Sequence, residues 1–158
     1  TAPDLAQLIW TARQVNDAQP QFVVQKVRQA LGDLAGKRIA ALGLAYKADV
    51  DDLRESPALE VVHLLQQEGA QVVAFEPYKP DNGLPGIHSA PTLNEALQQA
   101  EAVLFLVGHA QFRALTPEQL ASLTPARILI DTVNILSGPA WLAAGFQLRR
   151  LGAGEAFH

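Results

Sequence analysis

Residues 37–57 read KRIAALGLAYKADVDDLRESP, and this stretch decides the fold. It opens with a short apolar run, Lys37–Leu42, which is typical of a strand buried on both faces of a parallel sheet. It closes on Ser56 and Pro57, a favourable helix N-cap followed by a residue suited to the first helical position. The stretch therefore predicts a strand, a long loop and a helix, which is the repeating unit of an α/β fold.

The same alternation continues along the rest of the chain. Thr92 followed by Glu95 predicts a capping box at the start of one helix. Strands that alternate with helices form a mostly parallel sheet with helices on both faces, so we expect a doubly wound, Rossmann-like α/β sheet. The further strands are predicted at 71–75, 102–107, 127–130 and 146–151, and the helices at 56–69, 92–100, 116–123 and 139–144.

The beginning of the chain has apolar residues at helical spacing, with Gly32 as a plausible C-terminal stop. We expect residues 1–33 to be a helical connector and residues 34–158 to form the sheet domain. The apolar stripe of the connector has no obvious partner in this sequence. The segment Asp4–Ala30 is therefore expected to be poorly anchored or to pair with another copy.

Composition excludes several classes of function. The formal charge of −4 gives no reason to expect a nucleic acid or an anionic membrane as partner. No apolar run approaches the ~18 residues that span a bilayer, and no signal peptide is visible, so we expect a cytoplasmic location. The absence of cysteine excludes disulfides, thiolate metal sites and thiol nucleophiles. Methionine is also absent, even at position 1, so we expect a part of a longer protein.

The loop after the first predicted strand is the place to look for a ligand, because ligands bind at the carboxyl ends of such strands. It is not the dinucleotide fingerprint, since only Gly43 of the three expected glycines is present. The first acid after the second predicted strand, Glu76, lies 33 positions beyond Gly43 instead of about 20. The loop offers an aromatic ring, two cations and three aspartates, which suits a phosphorylated ligand held by side chains as well as backbone.

Here a resemblance to a known family becomes specific. Residues 43–62, GLAYKADVDDLRESPALEVV, resemble the hallmark segment of the UDP-glucose and UDP-N-acetylmannosamine dehydrogenases. That family has Gly-Leu-x-Phe/Tyr-Lys, then Asp, then Arg-Glu-Ser-Pro at this spacing. Residues 12–20 resemble the segment that joins the family's central helical domain to its C-terminal domain. Residues 105–112 resemble the N-acetylhexosamine branch, and Asp131-Thr132 a further family segment, so the likeness covers nearly the whole chain.

The resemblance implies a concrete activity. Family members oxidise the C6 alcohol of a UDP-sugar to a carboxylate with two molecules of NAD. An N-terminal domain binds NAD, a cysteine between the domains holds the aldehyde-level intermediate as a thiohemiacetal, and the C-terminal domain binds the UDP moiety. We expect this chain to be that C-terminal domain, with NAD held mainly by a missing N-terminal domain. The missing N-terminal and central domains are then its partners, the full-length protein a homo-oligomer, and the isolated chain inactive.

The resemblance also implies roles for three residues of the first loop. Lys47 matches the family lysine, which is expected beside the pyrophosphate or the sugar; its alternative is a solvated loop lysine. Tyr46 matches the family aromatic and is expected to pack against the substrate, or else to cap the core. Arg54 matches the family arginine on the cofactor side of the cleft, and it could also pair with Asp51 or Asp52.

Two further substrate-binding candidates follow later strands and are expected at the same edge of the sheet. His109 would contact the substrate or be a hydrogen-bonded loop histidine, and Asp131 would orient the ligand or stabilise a turn. Val133 and Asn134 stand where many family members have a basic residue, so that ligand contact would be missing or supplied by another arginine; the candidates are Arg127 and Arg149.

No residue of this chain is predicted to be catalytic, and no metal site is predicted. The three loop aspartates fit turn formation and arginine anchoring better than an oxygen cage. The resemblance therefore implies the UDP-binding domain of an NAD-dependent UDP-sugar 6-dehydrogenase, with UDP-N-acetylmannosamine ahead of UDP-N-acetylglucosamine and UDP-glucose. The alternative is a stand-alone nucleotide-binding or regulatory module without catalysis.

Overall fold

A computed structural model describes residues 19–54 and 56–151 of the chain. Its strands and helices alternate, as the sequence predicts. In chain order they are α1 (residues 19–31 of the described chain), β1 (Arg38–Leu42), α2 (Pro57–Gln67), β2 (Gln71–Phe75), α3 (Leu93–Leu97), β3 (Ala102–Phe105), α4 (Ala110–Arg113), α5 (Pro117–Leu123), β4 (Ile128–Asp131), α6 (Gly138–Ala143) and β5 (Gln147–Arg150).

The five strands form one sheet in the order β2-β1-β3-β4-β5, and every neighbouring pair is parallel. The predicted Rossmann-like parallel sheet is therefore confirmed. The chain order reverses between β1 and β3, which is the topological switch point of this strand order. Doubly wound sheets bind their ligands in the crevice at that point, outside the carboxyl ends of the strands. None of the described helices is long and apolar enough to cross a lipid bilayer.

Strand residues alternate between two buried cores, because successive side chains of a strand point to opposite faces. Ile39 and Ala41 of β1 lie in the core under α1 and α2, whereas Ala40 and Leu42 lie in the core under α3 to α6. The first core also contains Val61, Val62, Leu65, Val72, Leu104 and Ile130. The second also contains Leu97, Val103, Phe105, Phe112, Leu120, Leu129, Trp141 and Leu148.

Helix α1 differs from the expected loosely held connector. Its Val23, Val24 and Val27 are almost completely buried and belong to the same core as β1 and α2. The apolar stripe of residues 19–31 thus has a partner within the described chain. Residues 1–18 of the expected connector lie outside the described residues. Pairing with another copy and the division at residue 33 stay predictions.

Helix α2 starts and ends where the sequence predicts. At its start, the Ser56 hydroxyl accepts a hydrogen bond from the Ala58 N–H, and Pro57 occupies the first turn. At its end, Glu68 is the C-cap and Gly69 follows. Its buried residues recur at helical spacing, so one face covers the sheet. They are Ala58, Val61, Val62 and Leu65.

Two other helix starts depart from the predictions. At α3 the Thr92 hydroxyl accepts the Glu95 N–H as predicted, but the complete capping box forms at α5, between Thr116 and Gln119. Helix α4 was not predicted. Its N-cap is His109, which makes no side-chain capping hydrogen bond, so the usual sequence signal for a helix start is missing there.

Gly43, the first residue after β1, allows the loops that follow β1 and β3 to touch. Its φ is +99°, a region that suits glycine, and a Cβ built there would lie 2.6 Å from the Cβ of Val107. The backbone N–H of Gly43 donates to the carbonyl of Phe75, which fixes the chain as it leaves the sheet. A side chain at this position would therefore push the loop away from the switch point.

We expect Gly43→Ala to destabilise the protein by roughly 3 kcal/mol, since it combines an unfavourable φ with overpacking against Val107. Gly86→Ala is the matched control: its φ is +74°, but an added Cβ meets nothing within 4 Å. That variant should cost only about 1 kcal/mol. Urea unfolding of the two variants measures both values. Equal losses would show that the approach of the two loops is not tight.

Candidate ligand-binding site

A buried carboxylate holds the start of the loop at residues 43–56. Glu76 follows β2 and is fully buried. Its Oε1 accepts hydrogen bonds from the N–H groups of Leu44 and Ala45, at 2.8 and 2.9 Å, and its Oε2 accepts the N–H of Tyr78 at 2.9 Å. Three backbone donors from two loops thus compensate the burial of the carboxylate and fix both loops to it.

His109, the second fully buried polar side chain of the site, joins the loop after β3 to this arrangement. Its Nε2 lies 2.9 Å from Glu76 Oε1, and its Nδ1 lies 2.8 Å from the backbone nitrogen of Asp49. Because the Asp49 N–H can only donate, Nδ1 accepts, and the proton of the neutral ring is on Nε2 and points to Glu76. Both ring nitrogens are therefore engaged by protein groups.

Asp49 connects the same three loops on the solvent side of the histidine. Its Oδ1 accepts the backbone N–H of Ala110 at 2.8 Å and the hydroxyl of Tyr78 at 2.9 Å. These two hydrogen bonds, the backbone one first, lower the pKa of Asp49 below its ordinary value, and the shared bond raises the pKa of Tyr78. The Tyr78 ring packs against the His109 ring with 4.8 Å between centroids.

The loop is also closed on itself. The Ser56 hydroxyl donates to the carbonyl of Ala45 at 3.1 Å, in addition to capping α2, and the Tyr46 N–H donates to the carbonyl of Asp52 at 2.7 Å. The predicted N-cap thus has a second role, since it ties the end of the loop to its beginning. These bonds fix the backbone of the loop, and we call the loop held in this way the loop frame.

Tyr46 and Lys47 lie on the outer side of this frame. The Tyr46 residue is 59% exposed, so it does not cap the core, which was its alternative role. Lys47 is exposed, and within residues 19–54 and 56–151 its ammonium has no hydrogen-bond or ion-pair partner. Tyr46 and Lys47 are consecutive exposed residues of the loop at the carboxyl edge, and an aromatic ring and a cation suit a ring and a phosphate of one ligand.

Of the two roles that the sequence leaves open for Arg54, the structure shows the ion pair, and the cofactor contact stays a prediction. Its Nε and Nη2 lie 3.1 and 3.2 Å from the two carboxylate oxygens of Asp52, which is the anticipated ion pair. This hydrogen-bonded guanidinium is the main cause of the lowered pKa of Asp52. The Arg54 side chain is nevertheless 87% exposed, so the aspartate orients it at the surface without covering it.

Asp131 stabilises a turn. It ends β4, is buried, and its two carboxylate oxygens accept the N–H groups of Val133, Ile135 and Leu136 at 2.9 to 3.1 Å. Asn134, at the tip of this turn, has a φ of 56°. The turn is thus wrapped around Asp131, and a direct role of this carboxylate in substrate binding stays a prediction.

Of the two arginines proposed to replace the missing basic residue, Arg127 lies at the opposite edge. It precedes β4, its Nη1 donates to the carbonyls of Thr124 and Ala126, and it therefore cannot reach the carboxyl ends of the strands without losing these bonds. Arg149 lies in β5 opposite Ile130, closer to the carboxyl edge, and remains the candidate of the two.

Two of the three loop aspartates stabilise the local structure through hydrogen bonds. Asp49 and Asp52 accept the hydrogen bonds described above. Across the described part of the chain, no three His, Asp or Glu side chains are grouped so that they could hold a metal ion.

Besides a surface lined mostly by α1 itself, two concave surfaces lie between α1 and other elements. The first opens at the carboxyl edge beside the start of α2, next to the loop frame; among its lining residues are Pro57, Ala58, Leu106, Thr132 and Val133. The second is a larger groove between α1 and α2, away from the strand ends, where Arg28 pairs with Glu68. Only the first has the location that this fold uses for ligands.

The inward role of Glu76 and the contacts of Tyr78 with Asp49 and His109 were not predicted. The position of Glu76 was noticeable, because an acid that ends the second strand of such a sheet usually faces a ribose. Nothing in the sequence shows that it instead turns inward to the amides of Leu44 and Ala45. The one available signal in the sequence was that the loop departs from the three-glycine pattern. A loop without those glycines does not have to bind a pyrophosphate with its backbone amides.

Comparisons with known proteins point to one family. Residues 40–138 match the model of the UDP-glucose/GDP-mannose dehydrogenase family, UDP binding domain. The UDP-N-acetyl-D-mannosamine dehydrogenase of Methanocaldococcus jannaschii is 37% identical over 153 residues, which are 95% of this chain and 35% of that protein. The NDP-N-acetyl-D-galactosaminuronic acid dehydrogenase of Ralstonia nicotianae is 44% identical over 140 residues, 86% of this chain and 32% of that protein.

The fold is likewise similar to a solved relative. The structure of the UDP-D-ManNAc dehydrogenase from Pyrococcus horikoshii superposes with a TM-score of 0.80 at 30% identity. The superposition covers 93% of this chain and 34% of that one. The chain thus spans about a third of the length of the relatives it matches.

We expect Glu76→Gln to destabilise the protein by roughly 2–4 kcal/mol, because one acceptor oxygen becomes a donor that faces the N–H groups around it. Glu118→Gln, at an exposed position in the first turn of α5, is the matched control and should stay within about 0.5 kcal/mol of the parent. Urea unfolding followed by circular dichroism measures both. A Glu76→Gln protein as stable as the control would contradict the anchoring role of this carboxylate.

Proposed function

The chain belongs to the UDP-glucose/GDP-mannose dehydrogenase family as its UDP binding domain, and from that premise we propose that it holds the UDP moiety of a UDP-hexose within an NAD-dependent 6-dehydrogenase. The observation that carries the proposal is the loop frame at the carboxyl edge. It presents Tyr46 and Lys47 to solvent while its own backbone is fixed from within by Glu76. A site that is ordered before the ligand arrives loses less entropy on binding.

Each exposed side chain has a defined part in this proposal. Lys47 places a mobile point charge against pyrophosphate or sugar oxygens, and the face of Tyr46 packs against the ligand. Arg54, held by Asp52, is our candidate for a contact with the nicotinamide cofactor. Arg149 is the candidate for a further contact near the carboxyl end of β5.

The described residues do not fit NAD as the primary ligand of this sheet. In a dinucleotide domain, amides of the first loop approach the pyrophosphate, and an acid after the second strand binds the ribose. Here the amides of Leu44 and Ala45 already donate to Glu76, and Glu76 is buried. Both recognition elements are therefore used internally. The NAD of the proposed reaction is held elsewhere in the full-length protein, with Arg54 as the contribution of this domain.

The proposed reaction converts the C6 alcohol of the sugar to a carboxylate, with water as the source of the second oxygen and two molecules of NAD that each accept one hydride. The 158 residues contain no cysteine, so this chain cannot supply the thiol of the proposed covalent intermediate. Its contribution is to bind the nucleotide and thereby position the sugar for the rest of the protein. We propose UDP-N-acetylmannosamine as the substrate, which is the sugar named for the Methanocaldococcus relative.

The chain should bind UDP, weakly, and in preference to NAD. Lys47→Ala should weaken the binding of UDP by roughly ten- to a hundredfold, since it removes a charge-assisted contact of about 1.5–3 kcal/mol. Lys37→Ala is the control, because Lys37 precedes β1 at the opposite edge of the sheet and its side chain forms an exposed ion pair with Glu101. Isothermal titration calorimetry with UDP and with NAD compares the three proteins. Tighter binding of NAD, or UDP binding that is equal in both variants and the parent, would refute the assignment of this loop.

The isolated chain should form no NADH when it is mixed with NAD and a UDP-hexose. The reason is the absence of a thiol together with a first loop whose amides are bound to Glu76. Absorbance at the NADH band, compared with a protein-free blank, tests this. NADH formation that scales with the concentration of the purified chain would contradict the proposal that the thiol and the NAD site lie elsewhere in the full-length protein.

A further inference from the structure

The residues that display the ligand-binding pair are anchored on both sides. On one side, the N–H groups of Leu44 and Ala45 donate to Glu76; on the other, the N–H of Asp49 donates to His109 Nδ1 at 2.8 Å. Residues 46–48 form a short bridge between these two anchors. Because His109 also contacts Glu76, at 2.9 Å, a single buried imidazole connects both ends of the bridge.

We propose that His109 is a positioning residue for Tyr46 and Lys47, and that it holds their loop only while its imidazole is neutral. The proposal rests on the proposed function, since it concerns the same loop. It assigns His109 an indirect role in substrate binding, because both of its nitrogens are occupied by protein groups and the ring is fully buried.

The hydrogen-bond geometry gives the direction of the effect. A proton on Nδ1 would face the N–H of Asp49, so two donors would oppose each other and this anchor would be lost. One acceptor near the new N–H is the Asp49 carboxylate, whose Oδ1 lies 3.9 Å from Nδ1. That oxygen now accepts the N–H of Ala110 and the hydroxyl of Tyr78, so the same aspartate would have to exchange its partners.

An imidazole is, in general, the side chain that can change its charge near neutral pH. The charged and titratable groups that face the imidazole of this cluster are Glu76 and Tyr78 after β2, Asp49 after β1 and Arg113 in α4, whose Nε donates to the carbonyl of Gly108. Hydrogen bonds lower the pKa of Asp49 and raise that of Tyr78, so both keep their charge state between about pH 5 and 8. A charge gained by the ring would lie between two carboxylates, which limits its attraction for an anionic ligand.

Two substitutions separate the two hydrogen bonds of the ring. His109→Asn places an amide oxygen near the Nδ1 position, so it can accept the Asp49 N–H and cannot titrate. His109→Gln places its amide near the Nε2 position, so it can donate to Glu76 but gives up the Asp49 anchor. His63→Asn, at an exposed position of α2, is the control for removing a histidine elsewhere.

The test measures the affinity of the 158-residue chain for UDP-N-acetylmannosamine by calorimetry between pH 7.5 and 5.5. A UDP-sugar is chosen because its doubly esterified diphosphate does not titrate in this interval, unlike the terminal phosphate of UDP. The parent and His63→Asn should lose about fivefold in affinity on acidification, whereas His109→Asn should stay constant. His109→Gln should be weak at both pH values. Parallel pH profiles of His109→Asn and the parent, or a parent profile that is flat or rises with acid, would overturn the proposal.

A second measurement needs neither a variant nor a ligand. Two-bond ¹H–¹⁵N NMR spectra of the parent should show the Nε2–H tautomer of His109 at pH 7.5. On acidification, the amide signals of Lys47 and Asp49 should shift with the same midpoint as the ring. If these amides do not follow His109, the positioning role is refuted, even if the chain binds no UDP-sugar. Absence of binding at every pH with the amides following His109 would instead refute only the proposed function.

Discussion

The structure of the site depends on the burial of one carboxylate. A buried charge is tolerated only when it is fully hydrogen-bonded, and Glu76 finds its donors in the loops after β1, β2 and β3. The three loops are thereby fixed to one point beneath the ligand edge. Leu44 and Ala45 are held from inside, and the following residues, Tyr46 and Lys47, are exposed. The position of the exposed pair is thus a consequence of how the interior satisfies one side chain.

This arrangement explains how a sheet of dinucleotide-binding type can serve another ligand. The strand order retains the switch point between β1 and β3, and therefore the location of the site. Gly43 remains where the first loop leaves the sheet, but its φ now serves the close approach to Val107. The backbone amides and the acid that would recognise a dinucleotide bind each other instead. Recognition consequently passes to side chains of the loop.

The fold could be predicted because its signals are local. The apolar run before Gly43, the Ser56-Pro57 helix start and the alternation of strands and helices need no knowledge of distant contacts, and all three are confirmed. The site could be located only in part. The inward position of Glu76 and the engagement of both His109 nitrogens depend on contacts between loops that lie more than 30 residues apart in sequence. Sequence periodicity does not report such contacts. Helix α4 was not predicted for the same reason, because the side chain of its N-cap residue, His109, faces the core and does not cap the helix.

The central claim is that the nucleotide binds to the outer side of the loop while Glu76 keeps its internal partners. A crystal structure of the chain with UDP bound tests this most directly. We predict the diphosphate within hydrogen-bonding distance of Lys47 Nζ, the ligand packed against Tyr46, and Glu76 still accepting the N–H groups of Leu44 and Ala45. A diphosphate seated on those two amides with Glu76 displaced, or UDP bound in the groove between α1 and α2, would contradict the account.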